Sequence, residues 1–335
     1  MQDKMQENIR AIAITGPTAS GKTALSIEIA KRLGCEIISL DSMQIYREMD
    51  IGTAKATDTE RAAVPHHMLD VVSPTENYSA EDYRTDALAC AREIISRGKT
   101  PLFVGGTGLY LDTLIRGSNP LSPPADEAVR ERLTREAETE GGAHRLWLRL
   151  SEVDPESAEK IHENNTRRVV RALEIFELTG KSKTYFDMLS KTAARDITLA
   201  HITLDFHDRE LLYSRVNSRV DMMVRDGLVD EVRSLYDAGL LNDDTTAAQA
   251  IGYKEIVAYL RGESTLSEAV ELIKLSSRRY AKRQLTWFRH NEDAVHLFVD
   301  DENGGMQSLD VLASKAEGIL SEFKKIKHEP LGGER

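Results

Sequence analysis

Eight residues near the start of the chain have the spacing of a phosphate-binding loop. Residues 16–23 read Gly-Pro-Thr-Ala-Ser-Gly-Lys-Thr, which matches the pattern G-x-x-x-x-G-K-[ST] in full. In such a loop the backbone N–H groups cradle phosphate oxygens, the lysine adds a positive charge and the threonine hydroxyl binds Mg²⁺. We therefore predict a phosphate site, with Mg²⁺ on Thr23, built from Gly16, Pro17, Thr18, Ala19, Ser20, Gly21, Lys22 and Thr23.

The segments on either side of this loop predict the strand and the helix that such a loop connects. Residues 11–15 form a short apolar run typical of a buried strand, and residues 24–33 carry apolar side chains at helical spacing. Gly34 follows where a glycine ends many helices. A helix N-terminus after such a loop favours anions, because its free N–H groups and its dipole both attract negative charge.

A carboxylate and a hydroxyl follow two further predicted strands. Asp41 ends the apolar run 36–41, and Thr107 follows the strand 101–104 within a Gly-Gly-Thr-Gly turn. Asp41 could act as a general base, bind Mg²⁺ or cap the next turn. Thr107 could act on a ligand or cap the helix that begins at Leu109. The strand end favours a chemical role for Asp41, whereas the residues alone leave Thr107 open.

The alternation of strands and helices predicts an α/β fold, with a parallel sheet flanked by helices as in the P-loop NTPases. A further strand is expected over 201–206. Ligands of such sheets bind beyond the carboxyl ends of the strands. The phosphate loop, Asp41 and the turn at Thr107 are therefore expected to meet at one crevice.

A change in composition divides the chain into parts. Residues 118–125 contain three prolines, and from 126 to about 189 the pattern is helical and highly charged. We predict a core that begins over 8–118, a helical insertion domain over 119–198, a second, mostly helical part of the core over 199–318 and a disordered tail over 319–335.

The composition is that of a globular protein, since 41% of the 335 residues are hydrophobic and 30% are charged. The first ten residues are polar and no apolar run reaches about 18 residues, so we expect a cytoplasmic chain without a membrane span. Cys35 and Cys90 lack metal-ligand spacing and fit a reducing compartment. No exposed apolar repeat is evident, so we expect a monomer.

Two basic clusters stand against a net charge of −11, which by itself disfavours a nucleic-acid binder. One cluster is Arg167, Arg168 and Arg171, and the other is Arg278, Arg279, Lys282, Arg283 and Arg289. Four of the second group form a stripe on one predicted helix, which suits phosphate contacts, although a solvated face is the commoner reason for such a run. The adjacent pair His66 and His67 cannot readily share one metal, so we interpret it as structural.

Several motifs occur together in the order of a known family. They are Gly16-Pro-Thr-Ala-Ser-Gly-Lys-Thr23, Asp41-Ser-Met-Gln-Ile-Tyr46, Met49-Asp-Ile-Gly-Thr-Ala-Lys55, Pro65-His-His-Met-Leu-Asp70, Gly105-Gly-Thr-Gly-Leu-Tyr110, Arg167-Arg168 with Arg171-Ala-Leu-Glu174, Gly252-Tyr-Lys-Glu255 and Lys282-Arg-Gln-Leu-Thr-Trp-Phe-Arg289. From about Ile12 to Arg289, the chain closely resembles the bacterial tRNA dimethylallyltransferases, also called tRNA isopentenyltransferases. The phosphate loop is generic, whereas the segments 41–46 and 49–55 with the Gly-Gly-Thr turn are far more specific.

The resemblance implies alkyl transfer from dimethylallyl diphosphate to N6 of the adenosine that follows the anticodon of a tRNA. Asp41 would remove the amine proton, and Thr107 would orient the same region. The loop would hold the diphosphate together with Lys22, Mg²⁺ on Thr23 and, by the same resemblance, Arg130.

A stacked adenine cannot enter a buried crevice, so the target nucleotide is expected to flip out of the single-stranded anticodon loop. Gln44 offers both a donor and an acceptor to a base edge. The residues expected to contact tRNA are Asp41, Ser42, Met43, Gln44, Thr107, Arg130, Arg167, Arg168, Gln249, Gly252, Tyr253, Lys254, Arg278 and Arg283. An acidic body would then carry a local basic channel.

Three other functions share part of this pattern. A prenyltransferase acting on free adenine nucleotides would use the same loop and base, but has less need of a helical insertion and a basic stripe. A P-loop small-molecule kinase would use Asp41 for Mg²⁺ or for the acceptor hydroxyl, and would turn over ATP. A non-enzymatic RNA-binding module is least consistent with Asp41, because a carboxylate in a phosphate-binding crevice repels RNA.

Overall fold

Six strands form one parallel sheet in the order β3-β2-β4-β1-β5-β6. They are β1 (Ile9–Thr15), β2 (Cys35–Leu40), β3 (His66–His67), β4 (Thr100–Gly105), β5 (Ile197–Asp205) and β6 (Val295–Phe298). The structure is a computed structural model and describes residues 8–116, 123, 125–192, 195–242, 245–301 and 304–325. The parallel sheet confirms the predicted α/β, P-loop NTPase-like fold.

The chain divides into two compact units. The larger contains residues 1–115 and 196–335, and the smaller contains residues 116–195. The helices of the larger unit are α1 (Lys22–Leu33), α2 (Asp58–Ala63), α3 (Ala80–Ser96), α4 (Gly108–Arg116), α10 (Arg209–Arg225), α11 (Leu228–Asp237), α12 (Tyr253–Leu260), α13 (Leu266–Arg289) and α14 (Leu309–Lys325), and those of the smaller are α5 (Glu127–Glu138), α6 (Gly142–Val153), α7 (Pro155–Lys160), α8 (Thr166–Thr179) and α9 (Lys183–Thr192).

Both faces of the sheet are covered, as the continuous apolar runs of its strands require. Successive residues of β1 alternate between two cores. Ile12 and Ile14 pack with α1, α10 and α14, whereas Ala11 and Ala13 pack with α3 and α4. The sheet is therefore a buried layer between helices.

A third core lies among helices α10 to α13 and includes part of the loop that follows β2. Ile45, Tyr46 and Met49 are fully buried there, together with Val232 and Tyr253. This packing fixes the backbone just beyond Asp41 against the helical part of the larger unit.

The start of β5 corrects the predicted boundary of the insertion. This strand begins at Ile197, which pairs with Ile9, so residues 197 and 198 belong to the sheet and not to the helical insertion predicted over 119–198. The predicted start at 201 was late, because Thr198 interrupts the apolar run with an exposed polar side chain.

The smaller unit is helical in its described residues and has its own core. Leu133, Leu146, Leu150 and Leu173 are all fully buried in it. Asp126 caps α5 by accepting a hydrogen bond from the N–H of Val129, at 3.0 Å. The apolar spacing and the caps account for its helices without reference to the sheet.

The predicted disordered tail is wrong over residues 319–325, which belong to α14. The helix buries Leu312, Ala313, Ala316 and Leu320 in the core beside α1, at the spacing of one helical face. The lysines that follow obscured that apolar spacing. The rest of the predicted tail, residues 326–335, lies outside the described residues.

Candidate active site

The phosphate loop lies between β1 and α1, as predicted, and three of its residues have a positive φ, with Gly16 at 143°. Ala19 has φ 63° and Gly21 has φ 92°. A side chain at Gly16 would lie 2.8 Å from the Leu204 carbonyl oxygen, so this position requires glycine. The first turn of α1 contains no acidic residue, which leaves the positive end of the helix available to an anion.

The Lys22 side chain folds back toward the start of the phosphate loop. It donates hydrogen bonds to the carbonyl oxygens of Gly16, at 3.0 Å, and Pro17, at 2.7 Å. The pKa of Lys22 is lowered to about 7, mainly by burial and also by the charge of Arg219, while the charge of Asp41 opposes the shift. The lysine, the arginine and the aspartate are therefore close enough to affect one another.

Arg219 on α10 is a cation that the motifs did not reveal. It lines the same cavity as the phosphate loop, and its guanidinium has no hydrogen-bond or ion-pair partner among the described residues. Burial lowers the pKa of Arg219, while the Asp41 carboxylate raises it. Ser20 adds a buried hydroxyl oxygen that also has no partner in the described part of the chain. Unpaired polar groups that line a cavity suit an anionic ligand.

A sequence signal for Arg219 was available but weak. Arg215 and Arg219 are four residues apart on α10 and therefore lie on the same face. Arg215 lines the same cavity and donates its Nε–H to the Ala19 carbonyl oxygen of the phosphate loop, at 2.9 Å. Only the tertiary fold brings this face of α10 to the loop, so the spacing alone could not identify it.

Asp41 follows β2 directly, and its carboxylate also lines the cavity. Oδ1 accepts a hydrogen bond from the backbone N–H of Met43, at 2.9 Å, so the residue caps its own turn. The other oxygen has no hydrogen-bond partner among the described residues. Capping and chemistry are therefore compatible, because each uses a different oxygen.

Thr107 holds the turn after Asp41 rather than capping α4 with its side chain. Its Oγ1 accepts a hydrogen bond from the backbone N–H of Ser42, at 3.0 Å, and lies 3.5 Å from the Ser42 hydroxyl. The neighbouring Gly105 lies so close to β2 that an added Cβ would meet the Leu40 carbonyl oxygen at 2.0 Å. The glycine turn brings β4 and β2 together and so aligns Thr107 with the segment after Asp41.

Gln44 lies in the cavity wall with both ends of its amide engaged. Its Nε2 donates to the carbonyl oxygens of Thr53 and Ala54, each at 3.2 Å, and its Oε1 accepts from the Ser39 hydroxyl at 2.9 Å. Ser42 and Met43 line the cavity beside it. The orientation of Gln44 is thus set by the neighbouring loop.

Helix α13 closes one side of the site. Gln284 accepts a hydrogen bond from the backbone N–H of Thr18 and donates one to the Gly106 carbonyl oxygen, both at 2.9 Å. It thereby joins the phosphate loop to the turn that carries Thr107. Tyr280, one turn earlier, lines the cavity, and burial raises its pKa to about 12.

The basic stripe on α13 separates into residues with different partners. Arg283 is exposed, lines the cavity and lies 5.6 Å from the centre of the Tyr280 ring. Arg278 donates to the Asn217 side-chain oxygen at 2.6 Å. Arg289 forms a bidentate ion pair with the buried Asp205 and therefore serves the fold.

The segment 249–254 lines the cavity, but it includes one correction. Tyr253 is fully buried, and its hydroxyl donates to Glu231 at 2.6 Å, so its side chain is not the tRNA contact that was predicted. The third core contains this ring, which the sequence motif did not indicate. Lys254 is exposed, and Gln249 and Gly252 line the cavity.

Three predicted residues lie in the smaller unit. Arg130 pairs with the buried Glu174 at 3.1 Å, and Arg171 pairs with the same carboxylate at 2.9 Å. Arg167 and Arg168 are exposed on α8. The predicted roles of Arg130, Arg167 and Arg168 stay predictions.

Both histidines of the adjacent pair form hydrogen bonds within the protein, and His66 also lines the cavity. His66 bonds to the Val64 carbonyl oxygen at 2.8 Å, and His67 bonds to Glu36 at 2.7 Å. Within the described ranges, no group of three or more histidine, cysteine, aspartate or glutamate residues could hold a metal. The described helices also include none with the length and apolar character needed to cross a membrane.

The phosphate loop, Arg219 and Asp41 all line one cavity of about 870 Å³ in the larger unit. One part offers the phosphate loop, Lys22 and Arg219, which suit a phosphorylated ligand. Another offers the Asp41 carboxylate, which can accept a proton. The arrangement can bind a diphosphate and deprotonate a second substrate beside it.

A family model described as IPP transferase matches residues 44–291. The chain belongs to the IPP transferase family. It is 45% identical over 294 residues to a tRNA dimethylallyltransferase of Thermoanaerobacter sp., which covers 88% of this chain and 93% of that relative. With a tRNA dimethylallyltransferase of Bacillus cereus it shares 47% identity over 293 residues, covering 87% and 90% of the two chains. The chain is accordingly a prenyl transferase enzyme.

Solved structures of IPP transferases are similar to the chain over nearly its whole length. The full-length tRNA isopentenylpyrophosphate transferase of Bacillus halodurans is 43% identical, with a TM-score of 0.68 over 96% of this chain and all of the other. A eukaryotic dimethylallyltransferase, described as acting on tRNA, is 30% identical, with a TM-score of 0.77 over 98% of this chain and 82% of its own. Both the sequence and the fold therefore identify the family.

Proposed function

We propose that the chain transfers a dimethylallyl group from dimethylallyl diphosphate to N6 of the adenosine that follows the anticodon of a tRNA. The observation that carries the proposal is the shared cavity, in which the phosphate loop, the unpaired Arg219 and the Asp41 carboxylate lie together in a chain of the IPP transferase family. The curated relatives named tRNA dimethylallyltransferase support the choice of donor and acceptor.

The diphosphate would bind at the phosphate loop. Backbone N–H groups at the start of α1, the Lys22 ammonium and the Arg219 guanidinium would face its oxygens. When the allylic C–O bond breaks, both bonding electrons go to the diphosphate, so the leaving group gains negative charge. Donors already fixed in position stabilise this charge without reorganising.

Mg²⁺ fits the oxygen donors at the loop. The Thr23 side chain is exposed at the start of α1 and lines the cavity, and hydroxyl and phosphate oxygens are the hard ligands that Mg²⁺ prefers. Thr23 would hold the ion, which would neutralise charge on the diphosphate.

Asp41 would act as the general base. The lone pair of the adenine amine is delocalised into the ring, so nitrogen becomes a good nucleophile only as its proton leaves. The new N–C bond forms at the allylic carbon, the N6 proton passes to the Asp41 carboxylate, and diphosphate departs. Thr107, through Ser42, would keep this carboxylate in line.

The anticodon loop would supply the adenosine by base flipping. An unpaired loop nucleotide has less stacking and pairing to lose than one in a duplex, so its entry into the cavity is easier. Arg283 and Lys254, both exposed on cavity-lining segments, would contact the phosphates around it.

The test compares acceptors for one donor. Protein, Mg²⁺ and dimethylallyl diphosphate are incubated with unmodified tRNA, with AMP or with ATP, and the products are measured by mass spectrometry. The proposal expects a dimethylallyl adduct on tRNA alone. Adducts on AMP or ATP without one on tRNA would indicate the free-nucleotide enzyme, and ATP turnover without any adduct would indicate a kinase.

A further inference from the structure

The carboxylate of Glu231 on α11 accepts hydrogen bonds from three consecutive backbone N–H groups. Oε2 accepts from Asp50 at 3.0 Å and Ile51 at 2.7 Å, and Oε1 accepts from Gly52 at 3.1 Å. Oε1 also accepts the Tyr253 hydroxyl at 2.6 Å. The loop 50–54 therefore wraps around a charged group that lies about 180 residues away along the chain.

This loop forms part of the cavity wall and orients Gln44, a residue close to Asp41. Gly52, Thr53 and Ala54 all line the cavity. The carbonyl oxygens of Thr53 and Ala54 accept both hydrogens of the Gln44 amide, at 3.2 Å each. Glu231 and Gln44 thus hold adjoining parts of the same short loop by hydrogen bonds, and Gln44 lies three residues after Asp41.

Neighbouring contacts leave the loop little freedom to adopt another shape. An added Cβ at Gly52 would lie 2.5 Å from the Tyr253 ring, so the backbone and the ring are in close contact. At the far end of the loop, the buried Lys55 contacts the Asp50 carboxylate at 2.6 Å and donates to the Tyr46 carbonyl oxygen at 2.8 Å. Lys55 and Glu231 therefore fix the two ends of the same short segment.

The charge of Glu231 is important to this arrangement. A carboxylate has acceptor sites only and can satisfy several N–H groups at once, with bonds about twice as strong as those between neutral groups. A neutral amide of the same size would turn its own NH₂ donors toward backbone donors. Replacing the charge would thus loosen the loop while leaving the packing of α11 intact.

We infer that Glu231 is a positioning residue for the acceptor adenine, because it holds the loop that orients Gln44 and the adjoining cavity wall. This inference rests on the proposed function. Glu231 acts on the acceptor side of the site alone, since none of its hydrogen bonds reaches the phosphate loop.

Steady-state kinetics of Glu231→Gln test the inference, with Asp230→Asn as the matched control. Asp230 is the preceding residue of the same helix and is exposed, so its substitution makes the same change of charge. For Glu231→Gln we expect KM for tRNA to rise about tenfold, the equivalent of one charged hydrogen bond. KM for dimethylallyl diphosphate and the Kd for inorganic pyrophosphate should change less than about twofold.

Several outcomes would overturn the inference. An unchanged KM for tRNA would contradict it, as would an equal loss of pyrophosphate affinity, which indicates a general structural effect. If Glu231→Gln does not fold, Tyr253→Phe, which removes one donor to the same oxygen, should shift KM for tRNA in the same direction. Wild-type protein that prenylates no tRNA would refute the proposed function itself, a result separate from any effect of Glu231.

Discussion

The two oxygens of the Asp41 carboxylate have different environments. The residue lines the cavity, Oδ1 accepts the N–H of Met43, and the second oxygen has no hydrogen-bond partner among the described residues. This division lets the side chain keep its turn in place during a proton transfer. A substitution can therefore remove the proton-accepting carboxylate and still keep the hydrogen bond that holds the turn.

Asp41→Asn should lower the single-turnover rate of prenyl transfer by roughly 10²–10⁴, the usual contribution of a general base. The amide oxygen can still accept from Met43, so the turn is expected to persist. Tight tRNA binding, measured separately by filter retention, should remain. An equal loss of binding and rate would instead make Asp41 a residue that only positions the substrate.

Lys22 predicts how diphosphate binding depends on pH. Its pKa in the free protein is lowered to about 7, and a bound anion would raise it. Below pH 7 the lysine is already charged, so binding needs no proton from solvent. Above pH 7 binding must take up a proton, and the affinity contributed by Lys22 should fall by up to about tenfold for each pH unit until the pKa of the complex is reached.

Calorimetric titration with inorganic pyrophosphate from pH 6 to pH 9 measures this effect. The same series with Lys22→Met corrects for the ionisation of pyrophosphate itself. The difference in pyrophosphate affinity between the wild type and Lys22→Met should diminish as the pH rises above 7. A difference that stays constant across the range would show that Lys22 remains charged throughout.

At the scale of elements, α13 joins three parts of the site within about one turn and a half. Gln284 links the phosphate loop to the turn at Thr107, Tyr280 lines the cavity, and Arg283 lies at its exposed side. The helix is anchored at its end by the ion pair of Arg289 with Asp205. Its basic residues therefore have separate tasks.

Arg283→Gln should reduce the salt dependence of tRNA binding by about one unit in the slope of log K against log salt, since one phosphate contact is lost. Arg278→Gln should change the slope less, because the Arg278 guanidinium already bonds to Asn217. The exposed Arg233 on α11 lies outside the cavity lining, and Arg233→Gln provides the control. Equal slopes for the wild type and Arg283→Gln would assign Arg283 to a solvated helix face.

At the scale of the whole molecule, the sequence predicted those parts that depend on local patterns. The phosphate loop, the strands before Asp41 and Thr107, and the parallel sheet follow from apolar runs and glycine spacing, and the structure confirms the strands and the sheet. The features that the sequence did not predict depend on packing between segments that are distant along the chain. Arg219 and Glu231 belong to helices whose spacing gives no sign of what they face, and Tyr253 is buried by a core assembled from distant segments.

Packing between distant segments also explains two errors in the predicted boundaries of elements. The early start of β5 depends on its pairing with β1, and residues 319–325 are helical because α14 packs beside α1. Neither partner is close in sequence. The acidic net charge of −11 likewise says little about the site, where Lys22, Arg215, Arg219 and Arg283 line one cavity.

Identifying the atom of tRNA that carries the new group tests prenyl transfer by this chain. Unmodified tRNA is incubated with protein, Mg²⁺ and dimethylallyl diphosphate, then digested, and the fragments are sequenced by mass spectrometry. We expect a single dimethylallyl group on N6 of the adenosine that follows the anticodon, and none with Asp41→Asn over the same time. A dimethylallyl group at another nucleotide, or none with the wild-type protein, would contradict the proposed function.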